Sequence, residues 1–132
     1  MGAVKYLLDT HTLLWAVQKD VLLSDNALKI VVDKNIQKFV SAVSAYEILN
    51  KHRLGKLKEY VYVAENYFDV LGEFKASKLP IDERHAHFAG EFEWSHRDPF
   101  DRLLAAQASI ENLTLITNDP AFETLPWVET LW

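Results

Sequence analysis

Short apolar runs alternate with helical stripes along the chain. Residues 4–8 (Val-Lys-Tyr-Leu-Leu), 39–43 (Phe-Val-Ser-Ala-Val) and 113–117 (Leu-Thr-Leu-Ile-Thr) read as buried strands, with shorter strands over 78–81 and around 128–131. Between them the spacing predicts a helix over 12–18 that is apolar nearly all round, and a second after Ser24-Asp25-Asn26 with Ala27, Leu28, Val31 and Val32 on one face. A third helix opens at Ser44 and carries Ala45, Ile48 and Leu49 inward. A fourth spans 59–71, with Tyr60, Ala64, Tyr67, Phe68 and Leu71 on its core face and Tyr62 and Val63 on the flank. Asp82 caps a fifth, whose inward face includes His85, Ala89 and Phe92. In the sixth, Pro99 occupies the first helical position, where its missing N–H costs nothing, so Asp98 is the N-cap and Phe100, Leu103, Leu104 and Ala108 form the stripe. A short helix near 121–124 precedes the last strand.

The strands lack the two-residue alternation of a half-exposed sheet, and helices separate them. That pattern predicts an α/β fold with a parallel sheet covered on both faces. At 132 residues the chain is expected to be one domain, 1–132, with no repeat, linker or low-complexity segment. Cysteine is absent, which excludes disulfides and thiolate metal sites. The apolar run 13–17 is too short to span a bilayer, no signal-type core opens the chain, and Tyr6 stands where myristoylation would want Ser or Thr, so a soluble, cytoplasmic protein is expected. The formal net charge of −5 argues against a protein that coats nucleic acid, but a carboxylate cluster would itself supply much of that charge.

Acidic residues recur where the elements change. Asp9 follows the first strand, Asp119 follows the fourth within Asn118-Asp119-Pro120, Glu47 lies near the start of the third helix, and Asp98 and Asp101 open the sixth. Each has a structural explanation. Asp98 caps its helix, Ser44-x-x-Glu47 is a capping box, Glu47 and Lys51 form a favourable surface pair, and Asn-Asp-Pro is ordinary turn chemistry. In a parallel sheet, however, all five face the edge where ligands collect. Converging carboxylates repel and hold their protons, so convergence needs a cation. Oxygen ligands without cysteine, and with His85 and His87 two apart rather than on one helical face, favour Mg²⁺ or Mn²⁺ over zinc. Such ions activate water and stabilise charge on phosphoryl oxygens, which points to phosphodiester hydrolysis.

Four stretches carry a family resemblance: Leu-Leu-Asp9-Thr-His-Thr-Leu-Leu-Trp, Ser-Ala-Val-Ser-Ala-Tyr-Glu47-Ile, Arg-Asp98-Pro-Phe-Asp101-Arg-Leu-Leu-Ala-Ala-Gln-Ala and Leu-Ile-Thr117-Asn-Asp119. In order and spacing across the whole chain they resemble the motifs of PIN-domain ribonucleases, and closely those of the VapC toxins of bacterial toxin–antitoxin pairs. The resemblance implies a PIN-like three-layer α/β/α fold with a central parallel sheet of four to five strands. It implies a metal-dependent endoribonuclease that cleaves single-stranded RNA, forms a homodimer and is inhibited by a small VapB-like antitoxin whose tail occupies the site. Asp9, Glu47, Asp101 and Asp119 would carry the metal site, with Asp98 close by and ranked below Asp101, and Thr117 would assist through its hydroxyl.

In the mechanism so implied, Asp9 and Asp101 bind the principal ion, and Glu47 and Asp119 complete its shell or hold a second. Lys51, Arg53, Arg97 and Arg102 are candidates to guide the phosphate backbone, each with an equal claim to neutralise a neighbouring carboxylate. His11 and His96 adjoin the motifs as candidate proton shuttles, although exposed polar histidines are the simpler expectation. Other classes fit less well. A haloacid-dehalogenase-type phosphatase would need Asp-x-Asp where His11 stands, and a receiver domain would need an acidic pair at the first strand and a lysine after the last. An inactive PIN-like scaffold that only binds a partner, or a PIN nuclease of RNA processing, would keep the same motifs.

Overall fold

In the computed structural model, which describes residues 2–132, the strands are β1 (Tyr6–Leu8), β2 (Lys38–Ser41), β3 (Ser77–Leu79), β4 (Thr114–Ile116) and β5 (Thr130–Leu131). They form one parallel sheet in the order β3-β2-β1-β4-β5. The helices among the described residues are α1 (Thr10–Gln18), α2 (Asp25–Val32), α3 (Ala42–Arg53), α4 (Val61–Glu65), α5 (Tyr67–Glu73), α6 (Glu83–Glu91) and α7 (Pro99–Ile110). Short 3₁₀ turns at Asp20–Leu22, Lys58–Tyr60 and Pro120–Thr124 complete the path.

Successive strand side chains point to opposite faces, and this divides the core in two. Leu8, Val40 and Ile116 pack with Leu13 and Leu14 of α1, Val31 of α2, Ile48 of α3 and Val63 of α4. Leu7 and Leu115 pack on the other face with Leu104, Ala105 and Ala108 of α7 and with Phe122. The result is the α/β/α layering expected. The winding proceeds from β1 outward to β3 and then crosses to β4, so the carboxyl ends of β1 and β4 flank the point where strand order reverses.

Three local expectations change. The third helix begins at Ala42, not Ser44, because Ser41 is its N-cap and accepts from the Val43 N–H at 3.0 Å. Ser44, freed from capping, faces inward, and Leu49 faces solvent. The helix expected over 59–71 is broken at Asn66 into α4 and α5, which puts Val63 in the core and leaves Phe68 exposed. The first helix starts two residues early, at Thr10, with Asp9 as its cap. Helix ends are otherwise well marked: past α3, Gly55 at φ +75° lets its own N–H reach the His52 carbonyl and the Lys56 N–H reach that of Lys51.

His85 is buried in α6 and tied at both nitrogens. Nδ1 accepts from the Asp82 backbone N–H at 3.0 Å, so Nε2 carries the proton and donates to Glu111 at 2.8 Å. Asp82, His85 and Glu111 therefore cluster without a free ring nitrogen for a metal. The Arg84 guanidinium beside Asp82 holds that carboxyl down at about 2. Because His85 joins the start of α6 to the end of α7, His85→Ala is expected to cost about 2–4 kcal/mol, read by urea unfolding. A loss under about 1 kcal/mol would mean the two ends are held by other contacts.

Candidate metal centre

Asp9 is at the middle of the site. Following β1, it caps α1 by accepting from the Thr10 N–H at 2.7 Å through Oδ1, and its Oδ2 accepts from the Thr117 hydroxyl at 2.7 Å. Thr117 follows β4, the neighbouring strand, and its oxygen accepts in turn from the Asp119 N–H at 3.1 Å. One hydroxyl thus joins two of the motifs, which lie 108 residues apart. Thr12 Oγ1 donates to the Ile116 carbonyl at 2.7 Å and locks the start of α1 to the end of β4.

Glu47 comes to the same edge on α3. It is buried and faces inward, with its Oε2 paired to Lys51 Nζ at 2.5 Å. The capping-box explanation of Glu47 falls away because Ser44 is not the cap. Instead the Ser44 hydroxyl meets that of Thr10 at 2.8 Å, fastening α3 to α1 beside Asp9. Sequence reasoning did not assign Ser44 or Thr10 to this edge, and their only signal was adjacency to motif acids.

Asp98 and Asp101 arrive with α7. Asp98 caps it as expected, accepting from Phe100 N–H at 2.8 Å and more loosely from Asp101 N–H at 3.4 Å through Oδ1. Asp101 carries no capping duty and pairs with His96, whose Nε2 lies 2.6 Å from its Oδ2. His96 is therefore not the free exposed histidine the sequence suggested. It is about one third exposed, and its ring packs edge-on against Trp94. His96, Asp98 and Asp101 present ligand-type atoms all within 4.8 Å of one another.

Electrostatics links the three helices. Burial pushes the Asp9 carboxyl above the usual range, the Thr117 and Thr10 hydrogen bonds work against it, and the Glu47 charge adds to it. Burial lifts Asp101 to about 7; the hydrogen bond to His96 opposes the rise, and the charges of Asp98 and Asp9 add to it. Asp9 thus feels Glu47, and Asp101 feels Asp9; the close group of ligand atoms at this edge among the described residues is His96, Asp98 and Asp101, without Asp9, Glu47 or Asp119. Asp119 stands a little apart: it caps the 3₁₀ turn through the Ala121 N–H at 3.0 Å and shares a cleft with Asp9.

Among the basic candidates, Arg102 has a structural post. Its Nε and Nη2 donate to the Ala89 and Phe92 carbonyls at 2.9 and 2.5 Å, and its guanidinium lies 4.3 Å from the Phe92 ring centre. It ties α7 to the end of α6 rather than reaching outward. Lys51 is engaged by Glu47, Arg53 reaches Asn50 on an exposed face, and Arg97 is exposed.

The donor set suits a hard divalent cation. It offers carboxylate oxygens and no sulfur, and two of its acids hold protons more tightly than usual, chiefly because they are buried and further because neighbouring carboxylates add their charge. Charge rather than cavity size marks this edge: a cleft of about 520 Å³ lies at the opposite end of β1 and β4, lined by residues such as Lys5, Asn112 and Thr114.

A sequence model of the PIN domain family matches residues 6–128. No curated protein matches the chain in sequence. Solved structures do match in fold. VapBC2 from Rickettsia felis, bound to a DNA fragment from its promoter, is 20% identical with a TM-score of 0.68, covering 98% of this chain and 99% of that one. DNA-bound VapBC from Salmonella typhimurium is 17% identical with a TM-score of 0.69, covering 98% of each. FitAcB from Neisseria gonorrhoeae is 20% identical with a TM-score of 0.64, covering 96% of each.

Proposed function

The chain belongs to the PIN-domain family, and on that premise we propose that it is a metal-dependent endoribonuclease acting on single-stranded RNA in the cytoplasm, the toxin of a toxin–antitoxin pair. What supports this reading is that the Glu47 charge adds to the rise of Asp9 and the Asp9 charge to that of Asp101, beside the close group of His96, Asp98 and Asp101. Mg²⁺ or Mn²⁺ held there would supply a water of lowered pKa and would offset charge on the phosphate undergoing displacement.

The chain's own groups have distinct tasks. Asp9 and Asp101 would hold the principal ion, and Glu47 and Asp119 would complete its shell or hold a second. Asp98 fixes the start of α7 and adds negative charge beside Asp101. Thr117 holds Asp9 Oδ2 in place, and His96 does the same for Asp101. Arg53 and Arg97 are placed to receive the phosphate backbone, with Lys51 beside them paired to Glu47. The likeness to VapBC complexes supports a small VapB-type antitoxin as partner, and a homodimer is the working form in this proposal.

The test is cleavage of structured and single-stranded RNAs by the purified chain with Mg²⁺ or Mn²⁺ and with chelator. Metal-dependent cutting of the single-stranded members supports the reading; no cutting with either ion overturns it. A subtler expectation concerns Thr117→Val, which keeps the shape but removes the donor to Asp9. Positioning partners of metal ligands are typically worth about 10–100-fold in metal affinity. Calorimetric Mn²⁺ titration should show a loss of that size, and unchanged affinity would remove Thr117 from the site.

A further inference from the structure

Beside the carboxylates the surface opens into a cleft of about 350 Å³, lined by Asp9, His11, Trp15, Asn118, Asp119 and Pro120. Asp9 and the Asn118-Asp119-Pro120 loop in this lining are the metal edge or its immediate loop. The rest has no task in the mechanism above. His11 and Trp15 are four apart on α1 and so share one helical face, their ring centres 5.6 Å apart and tilted by 60°. Trp132 meets Trp15 edge-on at 5.9 Å and 70°. Trp15 is half-buried and packs on the core, whereas the His11 ring, one turn nearer Asp9, is exposed.

This arrangement is a platform held from behind. Trp132 and the core fix Trp15, Trp15 limits the tilt of His11, and the exposed ring surface faces a cleft that runs to the acids. Across it, exposed Asn118 offers an amide with both donor and acceptor atoms. Aromatic faces beside a polar amide form a surface suited to a flat heteroaromatic ring with hydrogen-bonding edges. Proteins that hold single-stranded nucleic acid stack bases on such side chains, and unstacked bases are read along their edges. A lysine- or arginine-lined slot would suggest the phosphate instead, and neither residue lines this one.

We propose that the His11–Trp15 platform, with Asn118 opposite, is a nucleobase subsite that stacks the unpaired base next to the phosphate held at the carboxylates. The proposal rests on the ribonuclease reading, which supplies the RNA. It gives His11 a stacking role, not a proton-transfer one, and makes this cleft the place where base preference at the cut is set.

Substitutions and an altered substrate separate the two ideas. Binding of a fluorescent single-stranded oligoribonucleotide is measured by anisotropy in an Asp101→Asn background, where cutting is suppressed and one negative charge is removed. His11→Ala and Trp15→Leu are each expected to weaken binding about tenfold, the typical worth of one stacked base. His11→Phe should recover most of the loss, since it keeps an aromatic face and lacks a titratable nitrogen. Replacing the flanking base by an abasic site should cost the parent the same factor and the His11→Ala protein little more. In the cutting-competent chain the same changes should raise KM with kcat within about threefold. Equal abasic penalties in parent and variant, or failure of His11→Phe where Ala also fails, would overturn the subsite while cleavage by the wild type kept the nuclease reading intact. An absence of both cleavage and RNA binding would overturn both.

Discussion

Asp9→Asn is expected to lower RNA cleavage by on the order of a thousandfold while the fold persists. Asparagine retains an oxygen for the Thr10 N–H and nearly the same volume, so the cap of α1 survives. What disappears is an ionised ligand at the centre of the acidic set, and loss of several kcal/mol of charge stabilisation corresponds to that factor in rate. Initial rates on a single-stranded substrate at saturating Mn²⁺, beside a thermal melt of each protein, decide it. A variant that cuts at the wild-type rate would displace Asp9 from the reaction, and one that fails to melt cooperatively would have to be replaced by Asp101→Asn for the same comparison.

The second large effect concerns stability without metal. Asp101 has its folded pKa raised to about 7, mainly by burial, from an ordinary value of 3.8. A carboxyl that binds its proton more tightly in the folded state favours folding fully only below its unfolded pKa, and that contribution is lost as pH rises from about 4 through about 7. The metal-free protein should therefore melt lower at pH 8 than at pH 5 as far as this group is concerned. Because the Asp101 side chain keeps some contact with solvent, the penalty at pH 8 is about 1–3 kcal/mol. Asp101→Asn should remove it, melting several degrees above the wild type at pH 8 and converging with it only as pH falls to about 4. Saturating Mn²⁺ should raise the wild type's melting temperature at pH 8 far more than the variant's, because a ligand bound only by the folded state stabilises it by mass action. A destabilised Asp101→Asn at pH 8 would show that the His96 pair outweighs the repulsion.

The order of elements and the positions of the acids were legible because they are local properties. Three residues of Pro and Asp chemistry suffice to start α7 at Pro99 with Asp98 as cap. Leu7-Leu8 and Leu115-Ile116 are apolar at successive positions, which a sheet covered on both faces demands. Local patterns failed where two neighbouring choices were nearly equal. Ser41 and Ser44 can both cap a helix, and the choice fell to Ser41 because β2 runs up to it, leaving Ser44 to meet Thr10. The stripe over 59–71 is continuous in sequence, yet the chain turns at Asn66 and trades Phe68 for Val63 and Val70 in the core.

The sequence by itself thus determined the layering, the parallel sheet and the set of acids available at its carboxyl edge, because strand and helix periodicity act over a few residues. Tertiary structure alone decided which of those acids share an environment. Glu47 became a buried partner of Lys51, Asp101 became the partner of His96, and Arg102 was drawn to the Ala89 and Phe92 carbonyls. Asp9 and Thr117, 108 residues apart, meet only because β1 and β4 are neighbours. The physical reason is that desolvation and Coulomb forces depend on distance through space, and no spacing along the chain encodes which strand ends become adjacent.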